Sequence, residues 1–166
     1  NTMRQILDPE LRRFQHAPVR LNDGRVMVIG GLITRLPEFF DPATETWTCG
    51  PAMSELRQIA TATVLSSGLV VVSGGMERHG AAIRTVEMYD PNTRTWILVD
   101  PMIEPRSAHP ASLLTDGTVL VTGGTATPET PDMDEWVRFS AAELLTIPES
   151  RTTVRRTPGR RLHPGR

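Results

Sequence analysis

The side chains in this sequence that could do chemistry are few and scattered. His16, His79, His109 and His163 are its candidate metal ligands or general bases, and none is spaced from another as ligands of one ion are. Cys49 is single, so no internal disulfide can form and the redox compartment stays undetermined. Asp132, Asp134 and Glu135 crowd one stretch, the pattern of a solvated segment or at most a weak cation site. Gly-x-Ser-x-Gly, Gly-x-Gly-x-x-Gly and the phosphate-cradling P-loop are absent. No catalytic residue, metal site or cofactor is expected from the chain on its own. Its best candidates are for recognition instead. Trp136 stands beside Asp134, Glu135 and Arg138, an aromatic and charge mix common at interface hot spots, and Arg78-His79 forms an earlier polar pair. Trp136 reads equally well as a cover for the bottom of a truncated repeat.

The elements that must position these residues are short. Of 166 residues, 13 are glycine and 14 proline, which suits brief strands and many turns. A hydrophobic share of 39% against 22% charged is ordinary for a globular chain and argues against wholesale disorder. The net charge of −1 hides an asymmetry. Residues 1–150 carry 12 arginines against all 19 acids, and residues 151–166 carry six arginines and no acid. Lysine is absent, which reads as coding bias, since arginine offers no single advantage at all 18 sites. An acidic body lacks the footprint of a nucleic-acid binder. No apolar run approaches the ~20 residues of a membrane helix, no secretory signal opens the chain, and a soluble protein of unassigned compartment is expected. Position 1 is Asn rather than Met, which fits processing or a cut from something longer.

An internal repeat organises the chain. Asp41-Pro42-Ala43-Thr44-Glu45-Thr46-Trp47 returns as Asp90-Pro91-Asn92-Thr93-Arg94-Thr95-Trp96, an offset of 49 that also carries Met53 to Met102 and Arg57 to Arg106. A glycine pair closes an apolar run three times, at Gly30-Gly31, Gly74-Gly75 and Gly123-Gly124. Ahead of the pairs stand Arg13, Arg57 and Arg106, followed three residues later by His16, Ala60 and His109.

Each unit reads as four strands. The first covers His16–Leu21, Thr61–Leu65 or Pro110–Leu114; a turn with glycine at its tight position follows, as in Asn22-Asp23-Gly24. The second, Val26–Ile29, Leu69–Val72 or Val119–Val121, is apolar on consecutive residues, so both faces should be buried. The third alternates, through Glu38-Phe39-Phe40, Val86-Glu87-Met88-Tyr89 or Glu143-Leu144-Leu145, and the Asp-Pro turn leads to a fourth opening at Trp47 or Trp96. Arg13, Arg57 and Arg106 precede the innermost strand, where a guanidinium can bond strand-end carbonyls. His16 and His109 share one repeat position and are expected as strand residues bonded to backbone.

This pattern resembles the Kelch repeat, an apolar strand ending in Gly-Gly, a Tyr about a dozen residues on and a Trp soon after. Gly74-Gly75, Tyr89 and Trp96 match throughout; Gly30-Gly31 and Trp47 match with Phe40 in place of Tyr. Gly123-Gly124 has Leu145 at the aromatic position and no Trp beyond it, so the third unit is degenerate or cut short. The resemblance implies an all-β fold, a Kelch-type β-propeller fragment of about three four-stranded blades in an incomplete ring. The blades are placed at about 12–56, 57–105 and 106–148. Residues 1–11 read as the degenerate end of a preceding blade, and 149–166 as a disordered Arg-rich tail.

Two functions follow from the resemblance. The first is an interaction module that presents loops to a protein partner, with no nucleic acid and no membrane involved. Its contacts are expected on the loops after each Gly-Gly, at Trp136, Arg138, Arg78 and His79, rather than on residues 41–57 and 90–106, the Trp side. The second is part of a galactose-oxidase-like or sugar-converting enzyme whose active-site residues lie outside this chain. The oxidase chemistry needs copper on two His and two Tyr, and Tyr89 is the single tyrosine here, at a core position of the repeat. Three units do not close a ring, so self-association or further blades are expected.

Overall fold

A computed structural model describes residues 9, 11–31, 34–126 and 137–147. Four strands, β1 (Ala17–Arg20), β2 (Val26–Ile29), β3 (Glu38–Asp41) and β4 (Thr46–Cys49), form the first antiparallel sheet in sequence order. The second sheet repeats it with β5 (Thr61–Val64), β6 (Val70–Ser73), β7 (Val86–Asp90) and β8 (Thr95–Val99). The third has three strands among the described residues, β9 (Ala111–Leu113), β10 (Val119–Thr122) and, after a two-stranded ribbon of β11 (Thr125–Ala126) and β12 (Val137–Arg138), β13 (Ala142–Leu145).

The registers coincide. Val26 pairs with Phe40, Val70 with Tyr89 and Val119 with Leu145; Phe40 in turn pairs with Trp47 and Tyr89 with Trp96. Phe serves as well as Tyr for packing, with ring centroids 5.1 Å apart in the first sheet and 5.0 Å in the second.

The apolar second strands are explained by the joints between sheets. Successive strand residues point to opposite faces. Val70 and Val72 pack against Met27, Ile29 and Phe39 of the first sheet, while Val71 packs with Val119 and Val121 of the third. Each linker adds one fully buried methionine to its joint, Met53 to the first and Met102 to the second. In β10 the burial alternates, with Val119 and Val121 sealed and Leu120 and Thr122 half-buried, because no described element covers its outer face. β7 is buried along its whole length, Glu87 included, so its alternation of residue type does not mark a solvent face.

Backbone bonds stitch neighbouring sheets together. Gly31 N–H donates to Arg57 O at 2.9 Å and Gly75 N–H to Arg106 O at 2.8 Å. Inside them, Ile59 N–H donates to Gln15 O and Ala108 N–H to Ile59 O, with Gln15, Ile59 and Ala108 all at left-handed φ of 52–57°. Gly30 and Gly74 also have positive φ, and a Cβ on either would meet the carbonyl of the next sheet's arginine. That close approach is why the repeat ends its second strand in glycine.

Candidate binding face

The loop face is built on three buried arginines. Arg57 Nη1 donates to Gly74 O and Thr85 O at 3.0 and 3.1 Å, the two strand-end carbonyls flanking its loop. Arg106 Nη1 does the same with Gly123 O and Ala141 O, and Arg13 bonds Gly30 O and Leu36 O. Sequence reasoning identified the carbonyls and missed the counter-charge. Arg57 Nη2 lies 2.7 Å from Glu87, Arg106 Nη2 2.9 Å from Glu143 and Arg13 Nη2 2.8 Å from Glu38. A guanidinium stays charged in proteins, so burying it demands such a partner.

Each carboxylate also accepts from the incoming linker, from Leu11 N–H, Ser54 N–H or Ile103 N–H. The linkers therefore lie on the same face as the Gly-Gly loops. Met53 N–H to Arg35 O and Met102 N–H to Arg84 O confirm it. This corrects the expectation that residues up to 57 and up to 106 belong to the Trp side. Residues 50–57 and 100–106 reach the loop face, and the Asp-Pro turns lie at the other end of the strands.

The loop after β6 is a compact hairpin. Met76 bridges Gln58 and Ala82, and Gly80 N–H donates to Glu77 O at 3.0 Å to close the tip. Arg78 and His79 are exposed on that tip. The loop after β10 begins with the β11–β12 ribbon, anchored by the Ser107–Thr125 bridge, and Arg138 stands exposed opposite Thr125. Trp136, with Asp132, Asp134 and Glu135, lies outside the described residues, as do residues 149–166. Phe139 covers the Arg106 guanidinium at 4.5 Å, a cation–π cap that no spacing signalled.

Three large apolar side chains are exposed here among the described residues: Phe14 at 51%, Leu36 at 36% and Ile103 at 75%. Two others, Leu98 and Leu144, lie on sheet strands. The opposite ends of the sheets carry short polar turns such as Asn22-Asp23 and Ser66-Ser67, all exposed.

The histidines depart from expectation. His16 is exposed ahead of β1 rather than in a strand. His109 is 3% exposed, and its ring bonds the Ser73 hydroxyl at 3.0 Å, not the backbone. The partner sits on the preceding sheet, across the joint. Burial, reinforced by the Arg106 charge, pushes His109 down to about 4, so the ring is neutral at pH 7. Cys49 is exposed on β4. Among the described residues no three His, Cys, Asp or Glu side chains gather as metal ligands do, and no helix is long and apolar enough to cross a membrane.

Comparison with known proteins agrees with the architecture. Residues 60–103 match the family described as the Kelch motif. A Kelch-like protein, terF, of Aspergillus terreus is 34% identical over 73 residues, 38% of this chain and 16% of the relative. The solved structure of YjhT superposes with a TM-score of 0.63 at 20% identity, over 73% of this chain and 37% of that one, a likeness of fold alone. The chain thus spans well under half the length of either relative.

Proposed function

This chain is part of a Kelch-repeat propeller, and from that premise we propose that its loop face binds another protein. One observation carries the reading. Phe14, Leu36 and Ile103 are exposed on the face that also presents Arg78, His79 and Arg138, while the opposite ends are short and polar. Single exposed apolar residues are ordinary, but several on one face with arginine are what interface cores use. The arginine–glutamate clamps fix where these loops point, and rigid positioning lowers the entropy that binding must overcome. In this reading the blades are 12–56, 57–105 and 106–148, and the ring is completed by further blades or by a second copy.

Site-specific photo-cross-linking tests the reading. A cross-linker at Ile103 or Arg78 is expected to capture a protein partner, and one at Ser67 or Asn22 is not. Capture from Ser67 and Asn22 alone would put the binding surface on the wrong face.

A further inference from the structure

The two joints between blades are built alike but are not filled alike. At the turn end of the joint between the second and third blades, Leu69, Met88, Ile97 and Leu145 meet as part of one apolar core. The same repeat positions in the joint between the first and second blades are Arg25, Phe39, Thr48 and Tyr89. There they line, with Arg94, an open cleft of about 400 Å³. One joint is apolar at these positions and its twin holds two guanidiniums and two hydroxyls over an aromatic floor.

The charges are arranged for use. Arg25 lies over the Phe39 ring at 5.4 Å, and its Nε and Nη2 engage Asp23 at 2.9 and 2.7 Å, which orients the side chain. Arg94 comes from the facing blade, at a left-handed φ of 54°, next to the Tyr89 phenol. Of the nearby carboxylates, Asp23 pairs with Arg25 itself and Asp41 lies within electrostatic reach of it. Asp41 also accepts from Ala43 N–H at 2.8 Å and Asp90 from Asn92 N–H at 2.9 Å. A bound anion must therefore share Arg25 with Asp23. The geometry points to an oxyanion site, in which a carboxylate or phosphate is held between Arg25 and Arg94 with Thr48 and Tyr89 hydroxyls as further donors. Forked guanidinium donors suit both groups. The site is on the turn end of the blades, so it stands or falls apart from the loop-face reading.

Nuclear magnetic resonance titration of the full chain tests it, with inorganic phosphate and N-acetylglutamate as probes at constant ionic strength. Saturable shifts are expected at the Thr48 amide and the Arg25 and Arg94 side-chain signals. Saturation by phosphate alone assigns a phosphate ligand, and saturation by N-acetylglutamate assigns an acidic side chain or small carboxylate. Arg94→Asn, which tolerates the left-handed backbone, should weaken binding about tenfold. Arg25→Leu with Thr48→Ile copies the apolar joint and should abolish binding while the third-blade signals stay unmoved. Linear, non-saturating shifts, or equal affinity in both variants, would overturn the site.

Discussion

Nη2 of Arg57 lies 2.7 Å from Oε1 of Glu87, with both side chains sealed from solvent. The pair couples the end of one linker to the third strand of its blade, and the same hydrogen-bonded carboxylate receives Ser54 N–H. It is the device that holds linker, inner strand and loop in one arrangement.

Removing one partner should therefore do more harm than removing both. Glu87→Ala leaves a buried guanidinium uncompensated and should cost about 3–5 kcal/mol. Glu55, 3.6 Å from Arg57 at the exposed rim, is too solvated to replace it. Arg57→Met combined with Glu87→Leu should be milder, since it leaves no buried charge, and its remaining cost is the loss of partners for Gly74 O, Thr85 O and Ser54 N–H. Urea unfolding of the three proteins checks the order, and a double variant less stable than Glu87→Ala would contradict it.

Gly74→Val should be far more damaging than Ser67→Ala. Gly74 has φ of 55°, and a Cβ there would collide with the Arg106 carbonyl and come within 2.8 Å of His109 and Met102 side-chain carbons. The cost is on the order of a few kcal/mol, against almost none for an exposed turn serine. Equal melting temperatures would show that the glycine is not held between blades.

Much of this was legible in the sequence, and the failures share a cause. Gly-Gly, the Asp-Pro turn and Trp47 or Trp96 recur close together, so the strands they bound could be read directly. Glu38, Glu87 and Glu143 follow their arginines at offsets of 25, 30 and 37, because the intervening loops differ in length. A fixed-offset comparison passes over them. Counted from the other side they are regular, each two residues before Phe40, Tyr89 or Leu145. Ser73 and His109 meet only across a joint, and Arg25 with Arg94 only across another, so neither pairing has a local signal.

His109 should make the fold sensitive to acid. Its pKa is held at about 4 when folded and returns to about 6.5 when unfolded, so between those values the unfolded chain binds the extra proton. Stability from this group is complete above pH 6.5 and falls as pH drops toward 4, by on the order of 3 kcal/mol in all. Asp23 and Asp116 are held below the usual 3.8, Asp23 mainly by Arg25 and Asp116 mainly by Thr118, and titrate outside this window. Denaturant midpoints measured from pH 4.5 to 7 should slope upward for the natural chain and flatten in His109→Gln. An unchanged slope in the variant would assign the acid sensitivity elsewhere.

The outer face of the third blade should make the isolated chain associate. Leu120 and Leu144 pair across β10 and β13, Leu144 is 60% exposed, and no fourth strand covers β13 among the described residues. Such edges pair with other chains. Gel filtration with light scattering should show dimers or larger species, reduced by Leu144→Glu. A monomer with a sharp cooperative melt would contradict the open-edge account.

The loop-face account is tested most directly by comparing affinities of two sets of alanine variants for a partner captured from Ile103. Phe14, Leu36, Arg78, Ile103 and Arg138 make one set; Asn22, Ser67, Asn92 and Asp116 make the other. The account predicts losses of about 1–2 kcal/mol or more at several positions of the first set and none in the second. Losses confined to the second set, with the first unchanged, would contradict it.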